Sequence, residues 1–224
     1  MEDNKEVLEK TGNLQVEGGE IEEVESFCYL GEMFECEQGA EGAVRYRVAA
    51  AWNQWRDFVR LLINRGIPLR IRVDVFCSCV RPVLLYGAET WALTGRLEGL
   101  LRSCDYRMLR HMLGVRWQDR VTNEEVLRKC SVYDIVSEVR RRRLRWFGHV
   151  RRREDGNILR RAMEMEIPGK RPPGRPMRKW EESVKDDLKC LNIEEESVRD
   201  REVWKKLIGR PTPRKGRFRD VKRK

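Results

Sequence analysis

Along the chain the hydrophobic positions change period once. Between residues 13 and 34 they alternate: Leu14 and Val16 precede Gly18-Gly19, and Ile21, Val24 and the aromatic run Phe27 to Leu30 follow. Period-two alternation marks half-buried strands, and Gly-Gly between two such segments suits a two-residue hairpin turn, because both central positions accept positive φ. Gly31 offers a second turn.

From Val44 onward the spacing is helical, with Val44, Val48, Ala51, Trp52, Trp55, Phe58 and Leu62 on one stripe and Arg45, Arg56 and Arg60 off it. Gly66 and Pro68 end this helix and open a second, carrying Leu69, Val73, Phe76 and Val80 until Pro82 kinks or stops it. A loop around "YGAETW" follows, then a third helix with Leu97, Leu100, Leu101, Cys104, Met108 and Met112, ending near Gly114. Thr122 and Glu125 form a capping box for a short fourth helix that buries Val126 and Cys130.

Ser131 with Asp134 caps a fifth helix, whose stripe is Val132, Ile135, Val136, Val139, Leu144, Phe147 and Val150. That stripe runs through "RRRRLRWFGHVRRR", residues 140 to 153, which places eight arginines in fourteen positions. The pattern predicts a helix attached by its apolar face, its arginines left outside as a charged wall. Gly148 costs about 1 kcal/mol relative to alanine in a helix interior and favours a break near Trp146 to His149. Beyond it, "IPGKRPPGRPMRKW" forbids regular helix and reads as an extended, flexible basic linker. Trp180, Val184, Leu188 and Leu191 then form a short helix, and Ser197 with Asp200 caps a last one carrying Val203, Trp204, Leu207 and Ile208.

Charge changes this picture from a helical protein to a polarised one. Of 224 residues 38% are charged, for a net +10. Residues 1 to 25 hold nine acids against Lys5 and Lys10, whereas residues 140 to 180 hold fifteen Lys/Arg against four acids, a net +11. Such asymmetry favours a polyanionic partner. No apolar run reaches the ~20 residues needed to cross a bilayer, so nucleic acid ranks above membrane. Seven cysteines at irregular spacing, behind an N-terminus without a signal pattern, predict a reducing, intracellular setting.

Catalytic candidates are sparse. Asp186-Asp187 resembles half of a two-metal carboxylate cluster, but its place on an amphipathic helix predicts a solvated face. Cys77 and Cys79, with Cys104 and His111, fall short of zinc-ligand spacing and read as buried thiols. No nucleophile motif surrounds His111 or His149, and no phosphate-binding glycine loop occurs, so we expect neither metal, cofactor nor small-molecule substrate. Trp52, Trp55, Trp180 and Trp204 lie on helical stripes as core anchors, while Trp146 among arginines is a candidate for stacking on nucleic acid.

Three stretches, "FCYLG" (27 to 31), "VRPVLLYGAETWAL" (80 to 93) and "RRLRWFGHVRR" followed by "GRPMRKWEESVKDDL", together resemble the C-terminal part of the reverse transcriptase of LINE-like, RTE-type non-LTR retrotransposons, with "DREVWKKLI" (200 to 208) fitting the same ending. The resemblance covers roughly residues 13 to 208. It implies a mainly α fold: an acidic segment (1–12), a hairpin closing the palm (13–43), a thumb-like helical bundle (44–118), basic connector helices (119–166), a Pro/Gly-rich basic linker (167–179), C-terminal helices (180–209) and a basic tail (210–224). Phe27, Tyr29, Leu30 and Gly31 then match the primer grip.

The family's catalytic carboxylates would precede residue 1, so the expected function is a non-catalytic fragment that binds template-primer nucleic acid through phosphates. Arg140, Arg141, Arg142, Arg143, Arg145, Arg151, Arg152 and Arg153, with Trp146 and His149, are its expected contacts. Lys170, Arg171, Arg175, Arg178 and Lys179 add a second group. The alternative is a domesticated helical module for an acidic protein partner, or a relic without polymerase function. The tail "PRKGRFRDVKRK" suggests a nuclear or nucleocytoplasmic location.

Overall fold

The computed structural model describes residues 14–16, 19–21, 24–29, 31–35, 40–165 and 178–209. It is mainly helical, with two short antiparallel hairpins leading into the helices. In the first, β1 (Leu14–Val16) pairs with β2 (Gly19–Ile21) so that Val16 faces Gly19. Gly19, expected as a turn residue, is therefore the first residue of a strand. In the second, β3 (Ser26–Tyr29) pairs with β4 (Glu32–Glu35), Tyr29 faces Glu32, and Gly31 takes φ +78° in the connecting turn. That left-handed backbone is open to glycine without a Cβ clash.

Helix α1 (Ala40–Leu62) buries Val44, Ala51, Trp55 and Leu62, the stripe read from the sequence. Arg47 is buried beside it and donates to the carbonyl of Gly31, which ties the second hairpin to α1. The next helical run does not stop at Pro82. In an unbroken α-helix the proline would leave one carbonyl without a donor and press its ring on the turn before. Instead α2 (Leu69–Val75) passes through a π turn over Phe76–Val80, where the Arg81 N–H reaches back to Phe76, and α3 (Arg81–Leu84) continues. The wider turn absorbs Pro82 and keeps both Phe76 and Val80 fully buried.

Helix α4 (Gly95–Leu113) starts on a Thr94 cap and ends at Gly114 with φ +66°; α5 (Asn123–Cys130) carries the capping box of Thr122 and Glu125. Ser131 closes α5 in a left-handed conformation, and Asp134 alone caps α6 (Ile135–Arg151). No break occurs at Gly148. A Cβ there would run into the Trp204 indole, so the glycine is a seat for that ring and not a hinge. Short α7 (Ile158–Glu164), α8 (Trp180–Leu191), a 3₁₀ turn over Glu195–Arg199 and α9 (Arg201–Leu207) complete the described chain.

Two hydrophobic clusters share α6. Ile135, Val136 and Val139 belong to the larger one with α1 to α5; Leu144 and Phe147 belong to a smaller one with Val184, Leu188, Ile193, Val198, Trp204 and Ile208. One helix thus anchors the N-terminal helices by its first half and the C-terminal helices by its second.

Candidate nucleic-acid interface

The arginines of α6 are not the uncommitted outer wall that their spacing suggests. Arg143 is buried: its Nη1 donates to Asp187 at 2.6 Å and its Nη2 to the Trp91 carbonyl at 2.9 Å. Burial pushes the Arg143 guanidinium below the ordinary arginine value and the Asp187 carboxyl above its own, so neither charge is fully repaid by the other. Arg140 reaches Glu98 and Asp187, each at 3.4 Å. Arg141 and Arg142 both close on Glu138, and Arg142 also donates to the Leu85 carbonyl. Arg151 pairs with Glu164 and Glu195, and Arg152 donates to the Val198 carbonyl.

These contacts explain most of the positive charge as internal fastening. The sequence carried a signal for part of it: Glu138 lies three and four residues before Arg141 and Arg142, the spacing at which helical side chains meet. Nothing in the sequence marks Asp187 as the partner of Arg143. Nor does it mark Arg72, whose guanidinium serves the carbonyls of Leu62, Ile67 and Met112 near two helix C-termini, or Arg81, which holds Asp105 with two hydrogen bonds of 2.9 and 2.6 Å.

What remains exposed on α6 is a short strip. Arg145 has no ion-pair or hydrogen-bond partner among the described residues. Desolvation and the positive neighbours Arg141 and Arg142 push its guanidinium below the ordinary value, and the charges of Glu138 and Glu89 offset that only in part. Trp146 is exposed and stacks on His149, with centroids 5.6 Å apart and planes 21° off parallel. Arg153 lies against the same imidazole, Nη2 to Nε2 at 3.2 Å, and has no carboxylate partner among the described residues. Arg145 and His149 are one turn apart on α6, and Arg153, two residues past the end of the helix, reaches the same side through its contact with His149.

Of the second basic group, Arg178 pairs with Asp186, and the Lys179 backbone N–H donates to Glu182 at the start of α8. Lys170, Arg171 and Arg175 lie outside the described residues, as does Leu30. On the second hairpin Phe27 and Tyr29 are exposed and stack at 6.2 Å, while Gly31 is held by Arg47.

The aspartate pair is not the solvated face expected: Asp187 is buried against Arg143, and Asp186 alone is exposed. Among the described residues no group of three or more His, Cys, Asp or Glu side chains is placed to hold a metal ion. Cys104 and Cys130 are buried thiols, raised by desolvation to about 12 and about 11, and His111 stacks on Trp55. No helix among the described residues is long and apolar enough to cross a membrane.

Over 208 residues, 86% of this chain and 73% of the relative, the sequence is 27% identical to a Caenorhabditis elegans protein whose name describes it as transposon-derived and uncharacterized. No protein-family model matches the chain, and no solved structure matches it.

Proposed function

We propose that this chain is a nucleic-acid-binding piece derived from a LINE-like, RTE-type reverse transcriptase. It holds a template-primer duplex by its phosphates and does not polymerise by itself. One observation carries the reading: in a chain of net +10, the last turns of α6 and the residues just after it leave Arg145, His149 and Arg153 on an exposed strip with no carboxylate ion pair among the described residues. Cations without internal partners are the ones available to displace counterions from a phosphate backbone. The likeness to a transposon-derived protein supports the same ancestry. Asp186-Asp187 supplies no catalytic pair, since Asp187 is committed to Arg143 and Asp186 to Arg178.

The test is binding of the full chain to a primed RNA–DNA hybrid, duplex DNA and single-stranded RNA across a salt series. Log affinity should fall linearly with log salt at a slope of roughly −0.9 per neutralised phosphate on a duplex and roughly −0.7 on the single strand. A slope near zero on all three ligands overturns the reading. One feature favours the rival, a protein-interaction module: α7 and the residue after it expose Ile158, Leu159 and Met165. A nuclear or nucleocytoplasmic site of action follows from the nucleic-acid reading; unchanged localisation after deletion of residues 213–224 would show that the tail does not direct it.

A further inference from the structure

We infer that α6 carries a stacking site for one unpaired nucleotide, with Trp146 taking the base and Arg145 and Arg153 the flanking phosphates. The inference rests on the nucleic-acid reading and narrows it to single-stranded RNA or DNA, including the unpaired end of a primed hybrid.

The geometry begins with an anomaly among tryptophans. Trp55, Trp91 and Trp204 are at most 2% exposed, whereas Trp146 is 37% exposed although it adjoins the buried Phe147. Helical spacing turns Leu144, Phe147 and Gly148 towards the smaller core and leaves Trp146 on the opposite side with Arg145 and His149. The ring is not loose: His149 stacks on it nearly parallel, and Arg153 supports the imidazole. A platform held in place before binding loses little freedom when a base lands on it.

The surrounding chemistry selects the partner. Every base offers a π face to an indole, and a strand supplies a phosphate on each side of that base. The rim of this platform is cationic, with no ion pair to a carboxylate among the described residues. A protein partner would need a broader apolar patch than one ring, and insertion into a membrane surface would need apolar neighbours where Arg145 and His149 stand.

The test uses the full chain with four labelled ligands, each across the same salt series: a single-stranded RNA, the same strand as DNA, an abasic strand of equal length, and a duplex. Trp146→Ala should weaken binding of the single strands about tenfold, within the range measured for base stacking, while Trp146→Phe keeps most of the affinity. The abasic strand should bind the wild type more weakly than the natural strand and be indifferent to Trp146→Ala, and the salt slopes should be shared. The RNA and DNA arms separate the two sources, because the site serves the strand on which Trp146→Ala has the larger effect. Equal affinity of wild type and Trp146→Ala for both single strands overturns the stacking site alone. Failure of the wild type to bind any ligand overturns the nucleic-acid reading beneath it.

Discussion

Arg143 on α6 donates to Asp187 on α8 at 2.6 Å, and both side chains are more than nine-tenths buried. Desolvation works against each of them, raising the carboxyl and lowering the guanidinium, so the pair fixes how α8 sits on α6 more than it stabilises the fold. Asp187→Ala leaves a buried arginine with only the Trp91 carbonyl and should cost about 3–5 kcal/mol in urea unfolding. Replacing both, Arg143→Met with Asp187→Leu, should recover most of that loss. If the double variant is no more stable than the single one, the penalty does not come from the stranded charge.

Gly148 and Trp204 form the second fastening between α6 and the C-terminal helices. The Trp204 Nε1 donates to the Leu144 carbonyl at 3.1 Å, and a Cβ on residue 148 would stand 2.8 Å from the Trp204 Cδ1. Alanine is the better helix former by about 1 kcal/mol, yet Gly148→Ala should destabilise by roughly 1–3 kcal/mol, because the indole must leave its seat. Calorimetry reads the sign directly. A rise in Tm would mean that helix propensity outweighs the packing and that Trp204 has room to move.

The helical stripes were legible because burial of one face imposes a period, and Val44 to Leu62 or Ile135 to Val150 keep it without interruption, although Val132, read as part of the second stripe, lies before the helix begins. Gly148 was misread, and at Pro82, where a kink or a stop was expected, the stop does not occur, for a common reason. Each weakens an isolated helix, and each is accommodated by something outside the local pattern: a π turn that widens the backbone before Pro82, and a distant tryptophan that needs the space at Gly148. The arginine block was legible as charge and not as pairing. Glu138 lies within one helical turn of its partners, but Glu98, Asp187 and Glu195 come from other elements, and separations such as the 44 residues between Arg143 and Asp187 leave no periodic trace. Of the candidate site, Trp146 stood out in the sequence by the arginines on both sides of it, whereas its exposure and the distinction of Arg145 and Arg153 from their neighbours required the fold.

Glu138 makes a pH prediction. Burial alone would raise its carboxyl, but the hydrogen bonds and charges of Arg141 and Arg142 outweigh burial and hold it below the ordinary value of 4.5. With the folded value below the unfolded one, its contribution is present above about pH 4.5 and is lost as pH falls through the depressed folded value. Glu138→Gln should therefore lower stability near neutrality by roughly 0.5–1 kcal/mol and approach the wild type in acid. Asp187 acts in the opposite sense, since its carboxyl is raised, but it is common to both proteins and drops out of the difference. A wild-type-minus-variant difference that stays constant from pH 7 to pH 3 would contradict the assignment.

The eight arginines of the block should separate by function when changed in pairs. Arg141 and Arg142 are spent on Glu138, so Arg141→Ala with Arg142→Ala should lose stability and leave the salt slope of nucleic-acid binding nearly unaltered. Arg145 and Arg153 hold no carboxylate among the described residues, so Arg145→Ala with Arg153→Ala should leave unfolding within about 0.5 kcal/mol and reduce the slope by about one to two. Charge composition alone makes the two pairs equivalent, since each removes two positive charges from the same arginine block. Equal slope changes from both would mean that the Glu138 pairs open when the ligand binds, and that the block acts as a field and not as a set of individual contacts. Unequal changes in the expected direction would show that internal pairing decides which arginines remain free to meet a phosphate.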